Sequence, residues 1–236
     1  MEDRKFSFII PAHNEEKYIS KTILSVIGQD YSDLEVIVVP NGCTDRTEER
    51  VQELIEQSGL SELVSFHSID NANVSMARNV GAQHALGDVL LFLDADTSLE
   101  ENTLTKIGKK FGPDHSMATC KVKPDRNKLK FKFVMFLKNF LHSTNLYRGT
   151  SGLLICHKNH FQQVGGFNED LKVKEIGDLS KRLRPLGKYS FVKSNITTSM
   201  RRYQNWGVAK AAYFWGKQWF RLFRGKLEKS SYEKVR

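Results

Sequence analysis

Four short runs of apolar, mostly β-branched or aromatic residues punctuate the first hundred positions: Phe6 to Ile10, Leu34 to Val39, Leu63 to Phe66 and Val89 to Leu93. Each is mostly apolar rather than strictly alternating, the pattern of a strand buried on both faces in a parallel sheet. Between them, Glu15 to Ile27, Asp45 to Gln57 and Val74 to Ala85 carry apolar residues at helical spacing, which is the order of consecutive βαβ units. The expectation is an α/β fold, one domain with a mostly parallel central sheet flanked by helices. Ligands of such sheets lie beyond the carboxyl ends of the strands. At those ends stand Pro11-Ala-His-Asn-Glu, Pro40-Asn-Gly-Cys-Thr-Asp and Asp94-Ala-Asp, three polar loops that would meet on one edge.

Composition narrows this picture without choosing a function. With 236 residues, 40% hydrophobic, and no linker rich in Pro, Gly or Ser, the chain can bury a real core. A net charge of +9 favours an anionic partner, whether nucleic acid, an anionic membrane surface or a phosphorylated substrate. Cys43, Cys120 and Cys156 are odd in number and form no C-x-x-C pair, so neither a disulfide framework nor a zinc site is indicated and a reducing, cytoplasmic setting is expected. No run approaches the ~20 apolar residues of a spanning helix, so membrane contact is expected to be peripheral.

Asp94 and Asp96 follow the run Val89-Leu-Leu-Phe-Leu, with the small Ala95 between them leaving room for a ligand. Two hard oxygen donors at such a turn suit Mg2+ or Mn2+, which completes its shell with water and substrate phosphates. Alone, a D-x-D is equally a turn that caps the next helix. Its neighbours make it specific. The succession I-P-A-H-N-E, N-G-C-T-D-R-T, A-R-N-x-G and L-F-L-D-A-D, over about the first hundred residues, resembles glycosyltransferase family 2, whose members share the GT-A fold. The resemblance implies that Pro11, Ala12, Asn14, Glu15 and Asn41 line a nucleoside pocket, that Arg78 lies beside it, and that Asp94, Ala95 and Asp96 take the ribose and a metal-bound pyrophosphate. Asp45 reads as a helix N-cap. Where the family often has Asp-Asp-Gly-Ser, this chain has Pro40-Asn41-Gly42-Cys43. The Asn41 carbonyl can accept from uracil N3–H, but with less charge and one fewer acceptor than a carboxylate, which leaves the base open, with a UDP-sugar the first expectation and a GDP-sugar the second.

Gly149-Thr-Ser-Gly and Val164-Gly-Gly-Phe-Asn-Glu-Asp-Leu resemble the family's acceptor region. The expected E-D-x-D-L-x-x-R-L reads Glu175-Ile176-Gly177-Asp178-Leu179-Ser180-Lys181-Arg182-Leu183, which puts Ile176 where the family often has its general base. An alcohol acceptor needs a carboxylate within about 3 Å of its hydroxyl. Glu175 or Asp178 would have to serve. An acceptor that is already anionic, such as a polyprenyl phosphate, needs no base, because a phosphomonoester's second pKa is near about 6.

Toward the C-terminus, Trp206 to Arg224 places Lys210, Lys217, Arg221 and Arg224 on one helical stripe, with Val208, Ala212, Trp215, Trp219, Leu222 and Phe223 opposite and Tyr213, Phe214 and Phe220 flanking. Lys128 to His142 likewise sets Phe133, Phe136, Leu137 and Phe140 on one face and Lys128, Lys132 and Asn139 across from it. Basic amphipathic helices of this kind either cover a core or lie on an anionic membrane, here the inner face. Arg201 and Arg202, just ahead of the tail, suit a pyrophosphate or an acceptor phosphate. The expected divisions are 1–200 for the transferase domain, with 1–97 holding the donor and 98–200 the acceptor, and 201–236 for the basic aromatic segment.

Three rivals remain. A nucleotidyltransferase would need a Gly-rich basic loop after the first strand, where this chain is acidic. A nucleic-acid-binding protein would share the positive charge but not the acids clustered at strand ends. A catalytically inactive sugar-nucleotide binder or scaffold would account for Ile176.

Overall fold

The computed structural model describes residues 4–144, 149–171 and 173–223. Its frame is one sheet in the order β3-β2-β1-β4-β7-β6-β8-β5. The first half supplies β1 (Phe6–Ala12), β2 (Leu34–Pro40), β3 (Val64–Phe66) and β4 (Val89–Leu93), joined through α1 (Ile19–Ile27), α2 (Thr47–Ser58) and α3 (Val74–His84). All pairings among these strands are parallel. The second half adds β5 (Thr97–Leu99), α4 (Thr103–Lys110), β6 (His115–Pro124), α5 (Leu129–Ser143), β7 (Leu153–His157), α6 (Lys158–Gln163), α7 (Glu175–Leu183), β8 (Lys188–Thr198), α8 (Arg201–Trp206) and α9 (Val208–Phe223). There β7 runs antiparallel between β4 and β6, β6 is parallel to β8, and β5 closes the edge antiparallel to β8.

Two core clusters on opposite faces of the sheet explain the continuous apolar runs. Along β1, Phe6, Phe8 and Ile10 enter one cluster and Ile9 the other; along β4, Val89, Leu91 and Leu93 alternate in the same way with Leu90 and Phe92. Helices cover both faces, so both parities of residue are buried, and the one polar side chain of β1, Ser7, donates to Glu35 Oε1 at 2.6 Å.

Two of the expected helices start later than their apolar spacing suggests. Glu15 to Tyr18 form a turn, not the first turn of α1, because Asn14 takes a left-handed φ of 54° and the Glu15 amide donates to Thr47 Oγ1 at 2.7 Å. Helix α2 begins at Thr47, whose amide donates to Asp45 Oδ1 at 3.0 Å, the capping role expected of Asp45.

The amphipathic segments depart further. The apolar face expected of α5 is not the one that packs: Phe131, Met135 and His142 are buried, whereas Phe133, Phe136, Leu137 and Phe140 are exposed. Asn139, expected on the polar side, faces the sheet and clasps Val122, accepting from its amide at 2.8 Å and donating to its carbonyl at 2.9 Å. The tail is divided by Gly207, with φ 77°, into α8 and α9. On α9, Ala211 is buried and Ala212 exposed, the reverse of the expected wheel, while Val208 packs against the core. Lys210 and Lys217 are exposed. The side chains of Trp215, Trp219, Phe220, Arg221, Leu222 and Phe223, and Arg224 entirely, lie outside the described residues.

Replacing Asn139 by Ala strands the buried Val122 amide and carbonyl, so the variant should lose about 2 kcal/mol in urea unfolding. A loss below a few tenths would show that water satisfies Val122 instead.

Candidate active site

Apolar β4 delivers Asp94-Ala95-Asp96 to the edge of the sheet, and four main-chain contacts fix the turn. The Asp94 amide donates to Gly152 O at 2.9 Å, the Thr97 amide to Asp94 O at 2.9 Å, the Ser199 amide to Asp96 O at 3.2 Å, and Thr22 Oγ1 to Ala95 O at 2.7 Å. Ala95 is buried, while Asp94 and Asp96 are part-exposed.

Each carboxylate belongs to a chain of charges. On one side, Arg78 of α3 is buried with its side chain 4% exposed; it donates to Asp94 Oδ1 at 3.1 Å and to Glu175 Oε1 at 2.9 Å, and lies over the Phe167 ring. On the other side, Arg201 grips both oxygens of buried Glu15 and reaches Asp96 Oδ2 at 3.0 Å, stacked against Tyr18. A guanidinium thus already balances the Asp96 carboxylate. The two sites of charge lie on either side of one turn.

The nucleoside loops are built mainly from backbone. Pro11 and Ala12 are buried within β1, and the Ala12 carbonyl accepts from the Asn41 amide at 2.8 Å and from Asn41 Nδ2 at 2.9 Å. Asn41 itself is buried, with its own carbonyl bonded to His13 Nδ1 at 2.7 Å. Asn14 accepts from the Thr44 amide at 2.8 Å, tying the first loop to the second. The loop after β3 also belongs here: the Gly42 amide donates to Ile69 O at 2.9 Å, and a Cβ on Gly42 would come within 2.8 Å of the Ala72 nitrogen. With φ 56°, Gly42 is required by both conformation and space. That third loop has no apolar or charged signature in the sequence, and only the N-G turn hints at a close neighbour.

On the acceptor side the acids are engaged. Asp178 accepts from Arg182 Nη2 at 2.7 Å and Nε at 3.0 Å, and the same guanidinium holds the Val164 and Gly166 carbonyls. Glu175 is bound to Arg78 through Oε1, while Oε2 has no hydrogen-bond partner among the described residues. Ile176 packs half-buried against the second core cluster, so the position where a base was expected is apolar in space as well as in sequence. Next to it, Lys174 adopts a left-handed φ of 66°, and burial followed by the charge of Lys138 pushes its ammonium down to about 8. This lysine carried no signal in the sequence. Arg202, paired with Arg201 in the sequence reading, lies instead over the Trp206 ring. Among the described residues, no group of three or more His, Cys, Asp or Glu forms a self-sufficient metal cluster. Asp94 and Asp96 supply two hard carboxylates at this turn, a donor set that would suit a divalent ion whose shell is completed by other ligands, and each is paired here with an arginine.

Several known proteins are similar. An uncharacterised glycosyltransferase of Haemophilus influenzae is 34% identical over 100 residues, 42% of this chain and 39% of that protein. The poly(ribitol-phosphate) β-N-acetylglucosaminyltransferase TarS of Staphylococcus aureus is 32% identical over 114 residues, 48% of this chain and 20% of that one. The chain therefore spans two fifths or less of the length of these relatives. Among solved structures, S. aureus TarS 1-349 in complex with UDP-GlcNAc superposes with a TM-score of 0.65 at 21% identity, covering 83% of this chain and 58% of that one. The mannosyltransferase PcManGT of Pyrobaculum calidifontis, in complex with GDP-Man and Mn2+, gives 0.65 at 18%, covering 82% and 56%. At such identities the likeness is one of fold, and it is the GT-A fold. The family model described as "Glycosyl transferase family 2" matches residues 7–164, more than half of the sequence, and the chain belongs to that family.

Proposed function

We propose that the chain transfers a sugar, with inversion, from a nucleotide diphosphate to a phosphate-bearing lipid acceptor, using a divalent cation, Mg2+ or Mn2+, held by Asp96 and Asp94. The observation that carries the reading is the Arg201 guanidinium bridging Glu15 and Asp96 at the mouth of the β4 turn. That position is electrostatically set for positive charge. When bound there, the cation would neutralise the charge that develops on the departing nucleoside diphosphate. Arg78 holds Asp94 in place and keeps its carboxylate turned toward the mouth. Arg201, displaced from Asp96, would be free to offer the outer side of Nη2 to the diphosphate while both terminal nitrogens stay on Glu15. The new bond forms from the acceptor oxygen to the anomeric carbon on the face opposite the breaking bond to the diphosphate.

For the base, the NH2 end of Asn41 is committed to the Ala12 and Val39 carbonyls, so an incoming N–H would meet its oxygen end. That end suits the N3–H of uracil and equally the N1–H of guanine, so a UDP-sugar and a GDP-sugar both fit it, and a UDP-sugar stays first by the family resemblance alone. For the acceptor, the apolar Ile176 and the engagement of Asp178 by Arg182 speak for an oxygen nucleophile that needs no deprotonation. Lys174, held near Lys138 in a part-buried place, supplies positive charge beside that position. The same two features also favour a second reading, a sugar-nucleotide binder that has lost turnover. Slow donor hydrolysis with Mn2+ separates the two.

Three outcomes are expected. In a thermal-shift titration with Mn2+ present, UDP at about a hundred times its dissociation constant should add about 2.7 kcal/mol of stability, and little of this should remain when Mn2+ is left out. Asp96→Asn should abolish that increment without lowering the melting point of the free protein by more than a few degrees; an unchanged increment would remove the metal from Asp96. Purified protein should glycosylate a polyprenyl phosphate, and transfer confined to free sugars or alcohols would sink the acceptor assignment. Lys174 has a folded pKa of about 8 against a usual 10.5, so the unfolded chain binds more protons between those values and stability rises with pH across that window. Lys174→Met should therefore be more stable than the parent at pH 7, with the difference shrinking toward pH 10; a constant difference would mean that packing, not charge, is responsible.

A further inference from the structure

Helix α5 is apolar on two opposite faces. Its inner face, Phe131, Met135 and His142, is buried against the sheet and the tail helices. Its outer face carries Leu129 at 85% exposure, Phe133 and Phe136 at 66%, Phe140 at 50% and Leu137 at 48%. At 100° per residue these five fall within one stripe about a quarter-turn wide, directly opposite the packed face. A helix that is hydrophobic all round is normally covered on every side. Five adjacent large side chains left in water on one helix form a patch of the kind that marks a contact surface.

The charge around the stripe says what covers it. Lys130 and Lys132, both exposed, fall on its two flanks, and exposed Lys128 precedes its first turn. No acidic residue occurs between Asp125 and Glu169, within a chain of net charge +9. Lysines flanking a stripe of Phe and Leu can extend their ammonium groups to lipid phosphates while the rings enter the acyl boundary. A protein partner of ordinary composition gives no reason for that arrangement.

The helix is also fastened to the active site at both ends. Before it, Asp125 Oδ1 accepts from the Met200 amide at 2.9 Å, next to Arg201. At its end, His142 meets Tyr189 at 3.1 Å and Ser151 at 3.4 Å, one residue from the Gly152 carbonyl that holds Asp94. Midway, Lys138 lies over the Tyr203 ring of α8. We propose that the outer face of α5, Leu129, Phe133, Phe136, Leu137 and Phe140 between Lys130 and Lys132, lies in the interface of an anionic bilayer and seats the active site against it. The inference deepens the lipid-acceptor reading: a bilayer on this face would hold the protein at the surface that carries a phosphate-bearing lipid, whose hydrocarbon part stays in the membrane. No described helix is long and apolar enough to cross a membrane, so the contact is interfacial.

The test is flotation of the full chain with vesicles of phosphatidylcholine, with and without phosphatidylglycerol, in the absence of any sugar donor. The parent should bind the anionic vesicles and hardly bind the neutral ones. A triple variant, Phe133→Ser with Phe136→Ser and Phe140→Ser, should bind at least about tenfold more weakly, and Lys130→Glu with Lys132→Glu should lose the preference for phosphatidylglycerol. The UDP and Mn2+ thermal shift of both variants should match the parent, which certifies the fold. Failure of the parent to bind anionic vesicles would overturn the proposal. So would unchanged binding of both variants, which would move the contact to α9, or a parent dimer that the triple variant dissolves, which would name a second copy as the occupant. Because donor binding is read separately in solution, a failed vesicle result leaves the donor site standing, and a failed nucleotide shift in the parent leaves the bilayer contact standing.

Discussion

The arrangement at the sheet edge depends on how two aspartates one residue apart share positive charge. Asp94 and Asp96 would repel each other and the neighbouring Glu15 and Glu175 if left alone. Arg78 and Arg201 separate them into two neutralised chains, Glu175–Arg78–Asp94 and Glu15–Arg201–Asp96. The chains are not equivalent. Arg78 is enclosed by α3, α7 and the Phe167 ring, so its loss would leave buried carboxylates uncompensated, a defect on the order of 3–5 kcal/mol. Arg201 stands at the head of a short helix and is a fifth exposed, which makes it the exchangeable member. One chain is framework and the other is a place-holder.

That asymmetry explains why Glu15 and Glu175 occupy different roles from those their positions suggest. Glu15 lies in the loop expected to meet the nucleoside, yet its side chain is buried and turned to Arg201. Glu175 heads α7 on the acceptor side, yet its nearest commitment is to the donor-side arginine. Carboxylates at the ends of strands and helices are therefore read better as charge balance for a nearby arginine than as ligands in their own right. The acceptor side then emerges as a basic, apolar place rather than an acidic one, with Ile176 and Lys174 side by side.

The first half of the fold was legible because its physics is local. Strands β1, β2 and β4 are covered on both faces, so their sequence is almost wholly apolar, and the helices between them repeat at their own period. The second half gave weaker signals for physical reasons. Strand β8 alternates exposed and buried residues, β5 is three residues long at the sheet edge, and α5, apolar on both sides, has no single face to identify. The Asp94 and Asp96 turn was visible, since a strand must end somewhere polar. Its partners were not: Arg78 and Glu175 are 97 positions apart, Glu15 and Arg201 are 186, and nothing in the local pattern of either residue announces the other. The loop after β3 was missed because it joins the neighbouring loops through backbone groups, which every sequence has.

The four main-chain contacts around Asp94-Ala95-Asp96 separate the shape of the turn from its charge. Gly152, Thr22, Ser199 and the turn itself hold the peptide groups, and none of these bonds uses a carboxylate oxygen. An amide in place of either aspartate would therefore keep the same curved turn and change only the charge it presents. Shape at this edge is held by peptide groups, and charge can vary upon it.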